Sequence, residues 1–438
     1  MTRPSPAVPR PDRRAQVRAI LTGSVPNLVQ WFNLYVYATF APYFRTEFFA
    51  PDSPDSLVWV YALFAVTFLV RPLGSWVFGR LADTGGRERA LVTAVTLMSV
   101  ASLVLAATPT ERAIGVWAAV ILIVVSVVQG IAAGGGYAAA AVLLSESGTR
   151  GRRGFFSSFQ GATIVGGLVL AQGLLLVLLS GGDRADVSAW GWRVAFAASG
   201  LAGLVSLWWA RSTRRPAPAA SKTAVPTMGE LFRAYWRPLL WVILLTAGGS
   251  AAFYTATVTV PYLIRETFYA DGGAPAERAS TGLVLAAFVI LMLMQPLGGA
   301  LSDRIGRKPL LVVFGLVGVA GAGVLVTAAT RVTSPVLVFA ILVLAFTVLT
   351  CYLSVNGIAK AEVFPAHIRA LGVGFGYAVS NSLFGGTAPL MFHATGGGVG
   401  FIVYLTVLLA VTAGAAIAMR GGVGTVLDAP TAATAKKP

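Results

Sequence analysis
GRLADTGGR, residues 79–87, returns as GALSDRIGR, residues 299–307. Both copies place Gly, Asp, Gly and Arg at the same offsets. Glycine permits a tight turn and close helix packing. The aspartate can cap a neighbouring helix N-terminus, and the arginines can pair with it. One such loop in each half of the chain implies an internal duplication.

The flanking sequence says what is duplicated. The chain has 438 residues, 56% of them hydrophobic and 11% charged, with a mean hydropathy of +0.76. Soluble domains carry roughly 25% charged residues, so the composition is that of a polytopic membrane protein. A spanning helix needs about 20 apolar residues. Twelve segments qualify: 20–44, 57–80, 90–108, 114–144, 155–180, 191–211, 237–264, 281–301, 309–329, 335–357, 366–394 and 398–419. The fold class is therefore all-α, with twelve transmembrane helices in two pseudo-symmetric six-helix halves. The domains are a basic tail at 1–19, an N-terminal half at 20–211, a Pro- and Ala-rich linker at 212–236, a C-terminal half at 237–419 and a tail at 420–438. Each copy of the repeated loop follows the second helix of its half.

A net charge of +16 raises nucleic acid as a partner. Topology accounts for it instead. With the N-terminus inside, most Lys and Arg fall in the tails, the linker and the inner loops, Lys360 and Arg369 of the 10–11 loop included. The positive-inside rule then puts both termini in the cytoplasm and the protein in the cytoplasmic membrane. Anionic lipid is a possible partner of the basic tail. Residues 1–18 are basic and Pro-rich without a signal-peptide pattern. Cys351 is the single cysteine, so no intrachain disulfide forms. No phosphate loop, metal cluster or Ser-His-Asp set is visible, so neither an enzyme nor a cofactor or metal is expected, and a monomer is.

The two loops resemble the signature of the major facilitator superfamily, in which this loop steadies the closed cytoplasmic face. The resemblance implies that Asp83, Arg87, Asp303 and Arg307 serve conformational switching. A closer likeness, to the metabolite–proton symporter branch, runs through NLVQWFNLYVY (27–37), FLVRPLGSWVFGRLAD (68–83), GWRVAF (191–196) and GIAKAEVFPAHIRALGVGFGYAVSN (357–381). It implies transport of a small mono- or dicarboxylate of the α-ketoglutarate kind together with protons. The residues alone leave other readings open: a facilitator or exporter of neutral, zwitterionic or drug-like compounds, or a sensor descended from a transporter.

The chain departs from that branch at its charges. Gln30 and Asn33 stand where acids are usual, Ser126 where Arg is usual and Gly136 where Glu is usual. No Asp or Glu lies near an expected midplane, although proton relays normally need a titratable group there. Proton coupling through helices 1 and 4 is therefore expected to be lost. Arg71 lies nine residues before Arg80, about 13 Å along the helix and so near mid-bilayer. An intramembrane arginine can grip a carboxylate through two hydrogen bonds. Uncharged polar residues in the helices include Tyr35, Tyr137, Gln160, Tyr254, Tyr352, Asn356, Tyr377 and Asn381. The substrate-binding candidates are Arg71, Gln30, Asn33, Gln160, Arg193, Tyr254 and Asn381. Reporter tags fused at either end should both register on the cytoplasmic side; opposite sides would overturn the topology.

Overall fold
The computed structural model describes residues 13–49, 56–148, 151–212, 227–332 and 334–419. Among them the backbone is helical almost throughout, and it crosses twelve times. Span 1 is Arg13–Phe48, and span 2 is two helices, Ser56–Leu69 and Arg71–Gly85. Spans 3, 4 and 5 are Arg87–Ala107, Trp117–Ser147 and Arg153–Gly181. Span 6 is Trp192–Ser212, entered through a π-helical turn at Val187–Gly191. The linker holds a short helix, Met228–Ala234, before span 7, Trp236–Tyr254. Span 7 passes through a second π-helical turn, Thr255–Thr259, into the helix Val260–Ile305. That helix is two, because Gly273 (φ +63°) breaks it; its second part is span 8. Spans 9 and 10 are Arg307–Arg331 and Pro335–Leu353, the latter prolonged by Asn356–Ala361. Span 11 is Arg369–Ser380, a π-helical turn at Asn381–Gly385, and Ala388–Ala394. Span 12 is Val399–Ala418.

Length and hydropathy alone single out eight stretches among the described residues. One of them, Trp236–Ile305, is 70 residues long and contains both spans 7 and 8. Span 1 begins in a run of arginines and carries two internal prolines. Span 11 is divided by its π turn. Span 6 is also missing from the eight stretches, so spans 1, 6 and 11 are weaker as hydropathy signals than as packed elements.

The duplication is visible in the backbone. Gly86 and Gly306 occupy the same place in the two loops and take the same turn, φ +94° and +90°. A side chain disfavours that conformation, so glycine is required there. Each turn joins a second helix of its half to a third. The side chains of Asp83 and Arg87 lie outside the described residues, as do the tails 1–12 and 420–438 and hence any lipid contact they make.

The second copy does its work across the halves. Asp303 accepts hydrogen bonds from the backbone N–H of Gly154 (2.7 Å) and Phe155 (2.9 Å) at the start of span 5. A carboxylate there meets both unsatisfied N–H groups and the positive end of the helix. Arg307 stands 3.3 Å from Asp303 and 3.6 Å from Glu362. Arg369 donates to Glu146, again across the halves, at 2.7 Å. Together these close the end of the bundle that carries the repeated loops, called here the motif end.

The far end is closed too. Tyr43 of span 1 donates to Glu277 at 2.7 Å. Arg184 pairs with Glu266 and lies 3.8 Å from Glu277. Arg265 reaches Gln172 at 3.3 Å, and Arg278 donates to the Gly182 carbonyl at 2.8 Å. The apolar segments 237–264 and 281–301 would leave Arg265 and Glu277 in the outer loop between them. The structure corrects this: they are 4% and 1% exposed. The reason is that the chain on either side of Gly273 stays helical and packs against spans 1 and 5, which a hydropathy pattern does not register.

With both ends sealed, the fold is in an occluded arrangement. Asp303→Asn removes the charge but keeps the side chain's shape. It should weaken the motif-end seal by roughly 1–2 kcal/mol, about tenfold in the open-to-closed ratio. A cysteine placed at Ser157 in a Cys351-free background should then be alkylated about tenfold faster, while substrate affinity stays within about twofold. An unchanged rate, or a large loss of affinity, would contradict this role.

Candidate functional site
Arg71 begins the second helix of span 2, directly after the break at Val70. Its position depends on glycines in span 4. A Cβ on Gly130 would come within 2.2 Å of the Thr67 carbonyl, and one on Gly134 within 2.2 Å of the Arg71 carbonyl. The glycines that crowd span 4 are thus contact points where its backbone touches span 2. Small residues allow this approach between membrane helices.

The guanidinium is buried, 2% exposed, and lies 3.5 Å from the centroid of the Phe68 ring. Its Nε and one terminal nitrogen make no hydrogen bond of normal geometry. Around it stand the hydroxyls of Tyr35 from span 1, Tyr254 at the end of span 7 and Tyr377 in span 11. The Tyr35 and Tyr254 hydroxyls, the Gln30 Oε1 and both amide atoms of Asn381 likewise lack a partner of normal geometry. So many unsatisfied buried groups in one place are unusual, since buried polar atoms are nearly always paired. Two of them, Gln30 and Arg71, line a small cavity together with Trp31, Leu34, Ala133, Tyr137 and Tyr377; Tyr35, Tyr254 and Asn381 stand outside its lining. Tyr254 and Asn381 sit at the start of π-helical turns. Such turns re-aim side chains and are frequent at functional sites.

The structure brings Gln30, Arg71, Tyr254 and Asn381 together and leaves the other candidates elsewhere. Asn33 donates to the carbonyls of Val29 (2.9 Å) and Ser199 (3.2 Å) and accepts from Ser102 (2.6 Å). All those partners lie in the N-terminal half. Three residues of helix turn the chain by about 300°, leaving Gln30 and Asn33 roughly 60° apart. That divergence is enough for Gln30 to face span 4 and the cavity, and Asn33 to face spans 3 and 6. Gln160 donates to the Tyr137 carbonyl at 3.3 Å and sits against Gly357 rather than in the cavity. Arg193 donates to the carbonyls of Ala106 (3.0 Å) and Thr108 (2.6 Å), satisfying the C-terminal end of span 3. These three are structural hydrogen bonders in this arrangement.

Gln30 also explains Gly136. Its Nε2 donates to the Ala132 carbonyl at 3.1 Å. A Cβ on Gly136 would stand 1.8 Å from its Oε1. The amide of span 1 fills the volume that a side chain at position 136 would need, so Gln30 in this rotamer and a side chain at 136 cannot coexist.

The sequence reading missed Lys360, which it put in a cytoplasmic loop. The structure corrects this. Asn356–Ala361 continues span 10 inward, and Lys360 is fully buried. The signal was available in its apolar neighbours, Gly357-Ile-Ala on one side and Ala361 on the other. Its Nζ donates to Asn356 Oδ1 (3.1 Å), Tyr352 OH (3.3 Å) and Tyr137 OH (3.4 Å). Tyr137 and Tyr377, one from each half, stack with centroids 3.4 Å apart and planes 6° apart. This pair forms one wall of the cavity, and Lys360 lies 4.7 Å from the Tyr377 ring.

Two six-helix halves, a buried polar site between them and a seal at each end define a secondary transporter of the alternating-access kind. The chain belongs to the Major Facilitator Superfamily, whose sequence pattern matches residues 27–389. Among its relatives is the α-ketoglutarate permease of Escherichia coli (strain K12), 37% identical over 407 residues, 91% of this chain and 93% of that one. The citrate-proton symporter of Klebsiella pneumoniae is 26% identical over 390 residues, 87% of this chain and 85% of that one. In fold it matches the xylose transporter of E. coli in a partially occluded inward-open conformation. That match has a TM-score of 0.71 at 16% identity and covers 91% of this chain and 96% of the other. The protein is a multi-pass membrane transporter and not an enzyme.

Arg71→Ala should abolish carboxylate binding. Arg71→Lys should keep only part of it, because a point charge replaces a two-pronged donor. Isothermal titration with the purified variants checks this; normal carboxylate affinity in Arg71→Ala would refute the assignment.

Proposed function
We propose that the protein carries a small organic acid, an α-ketoglutarate-like mono- or dicarboxylate, across the cytoplasmic membrane by alternating access, with the motif end facing the cytoplasm. The observation that carries this reading is the buried guanidinium of Arg71, which leaves two nitrogens without a hydrogen bond of normal geometry and meets no acid among the described residues. Leaving a buried cation without its counter-charge costs several kcal/mol. A bound carboxylate recovers that loss, since it accepts two parallel hydrogen bonds from the guanidinium. The neutral donors around it, Tyr35, Tyr254 and Asn381, suit the remaining oxygen atoms of an oxo- or hydroxy-acid. No acid of the described residues contacts the guanidinium, which disfavours a zwitterion whose ammonium would need one. The names of the two relatives, for α-ketoglutarate and citrate, support the same substrate class.

The halves would rock about this site, breaking the far-end network to load and the Asp303 and Glu146 contacts to release. A thermal-shift screen of the purified protein across mono-, di- and tricarboxylates and amino acids tests the class. Counterflow in proteoliposomes with the best ligand tests movement. Stabilisation and exchange by a dicarboxylate are expected; stabilisation by amino acids alone would refute the class, and binding without exchange would mark a sensor.

A further inference from the structure
The replacement of acids by Gln30, Asn33 and Gly136 leaves a symporter's proton without its usual acceptors. We propose that Lys360 carries it: the amine takes up the transported proton as the substrate anion enters, and gives it back when the anion leaves. This rests on the carboxylate reading above and goes beyond it in naming the proton's position.

The argument starts from burial. Lys360 is 0% exposed, and its Nζ touches only neutral oxygens, those of Tyr137, Tyr352 and Asn356. An ammonium in such a place without a counter-ion costs far more than a neutral amine. What surrounds it on each packed element is also uncharged. Span 4 offers Tyr137, span 10 and its inward continuation offer Tyr352 and Asn356, and span 11 offers Tyr377. The nearby acids are engaged toward the motif end: Glu362 beside Arg307 and Glu146 with Arg369. The cation closest in chemistry is Arg71, across the Tyr137–Tyr377 pair that walls the cavity. Burial without a counter-ion disfavours the ammonium until an anion arrives.

An entering dicarboxylate changes that balance. One carboxylate engages Arg71, and its companion negative charge stabilises an ammonium on the other side of the tyrosine pair. The amine's lone pair accepts a proton from water on the side to which the site is open. After rocking, the anion departs, the ammonium again lacks a counter-charge, and the proton passes to water on the opposite side. One anion and one proton move per cycle, and no redox partner is needed. Tyr137 and Asn356 belong to opposite halves and bond each other at 2.6 Å. Rocking therefore opens the hydrogen-bond shell of Lys360 in the same motion that opens the site. Helices 1 and 4 carry no proton on this route, in keeping with their neutral residues.

The test uses α-ketoglutarate and the full-length protein. Calorimetric titration of the wild type in two buffers of different ionisation enthalpy should show uptake of about one proton per anion bound at pH 8. Lys360→Arg fixes the charge. In proteoliposomes it should keep counterflow within about tenfold of wild type, while accumulation driven by an inward proton gradient falls to about the equilibrium ratio of one. Lys360→Met should lose affinity at least about tenfold. Proton uptake of zero in the wild type, or gradient-driven accumulation by Lys360→Arg equal to wild type, would overturn the inference while leaving carboxylate transport standing. Wild-type protein that neither binds nor exchanges any carboxylate would overturn the substrate reading, and this inference with it.

Discussion
A guanidinium buried at the junction of two six-helix halves, with no counter-charge among the described residues, is the constraint around which the molecule is arranged. Arg71 is held by backbone, not by ion pairs. The break at Val70 starts a new helix at the arginine, and glycines of span 4 bring a second backbone against it. Phe68 covers one side of the plane. What remains open is the direction of Tyr254, Tyr377 and Asn381 in the other half. An unsatisfied charge is unfavourable in the empty protein, and on the proposed reading the same deficit becomes affinity for an anion.

The seals at the two ends are of different chemistry. At the motif end a carboxylate sits on a helix N-terminus, an arrangement that needs alignment of Asp303 with the first turn of span 5. At the far end, charged side chains of spans 6, 7 and 8 interleave with Tyr43 and Gln172. Each contact is worth on the order of 1–3 kcal/mol. The two sets are similar in number, so the difference between them, not the size of either, sets the bias of the two-state equilibrium. Substrate in the centre can therefore tip the balance between them. Spans 5 and 8 run antiparallel from one seal to the other, touching at Gly154–Asp303 and at Gly182–Arg278. Breaking one seal moves the same pair of helices that makes the other.

The N-terminal half is electrically quiet inside apart from Arg71. Asn33, Ser102 and Gln129 form a neutral chain, with Gln129 donating to Ser102 at 3.1 Å. An acid at position 33 would sit among hydrogen bonds that a carboxamide fills as donor and acceptor at once. The pairing of Gln30 with Gly136 is steric as well as electrical. Any return to charged residues in spans 1 and 4 has to solve both problems together.

Much was legible in the amino-acid order. Twelve apolar segments, the duplicated Gly-Asp-Gly-Arg loop and the intramembrane position of Arg71 follow from composition, period and spacing, because a bilayer imposes a length on every crossing and a cost on every charge. The glycine at 86 and 306 announces its turn, since few other residues tolerate that backbone. What lay beyond the sequence was which polar side chains share a space. Gln30 and Asn33 sit three apart on one helix, yet one faces the cavity and the other the interior of its own half. Arg193 turned to the end of span 3. Arg265, Glu277 and Lys360 read as loop charges because hydropathy falls wherever a charge appears. Only packing between the halves, which buries a charge by surrounding it with neutral partners or an opposite one, decided that they lie inside.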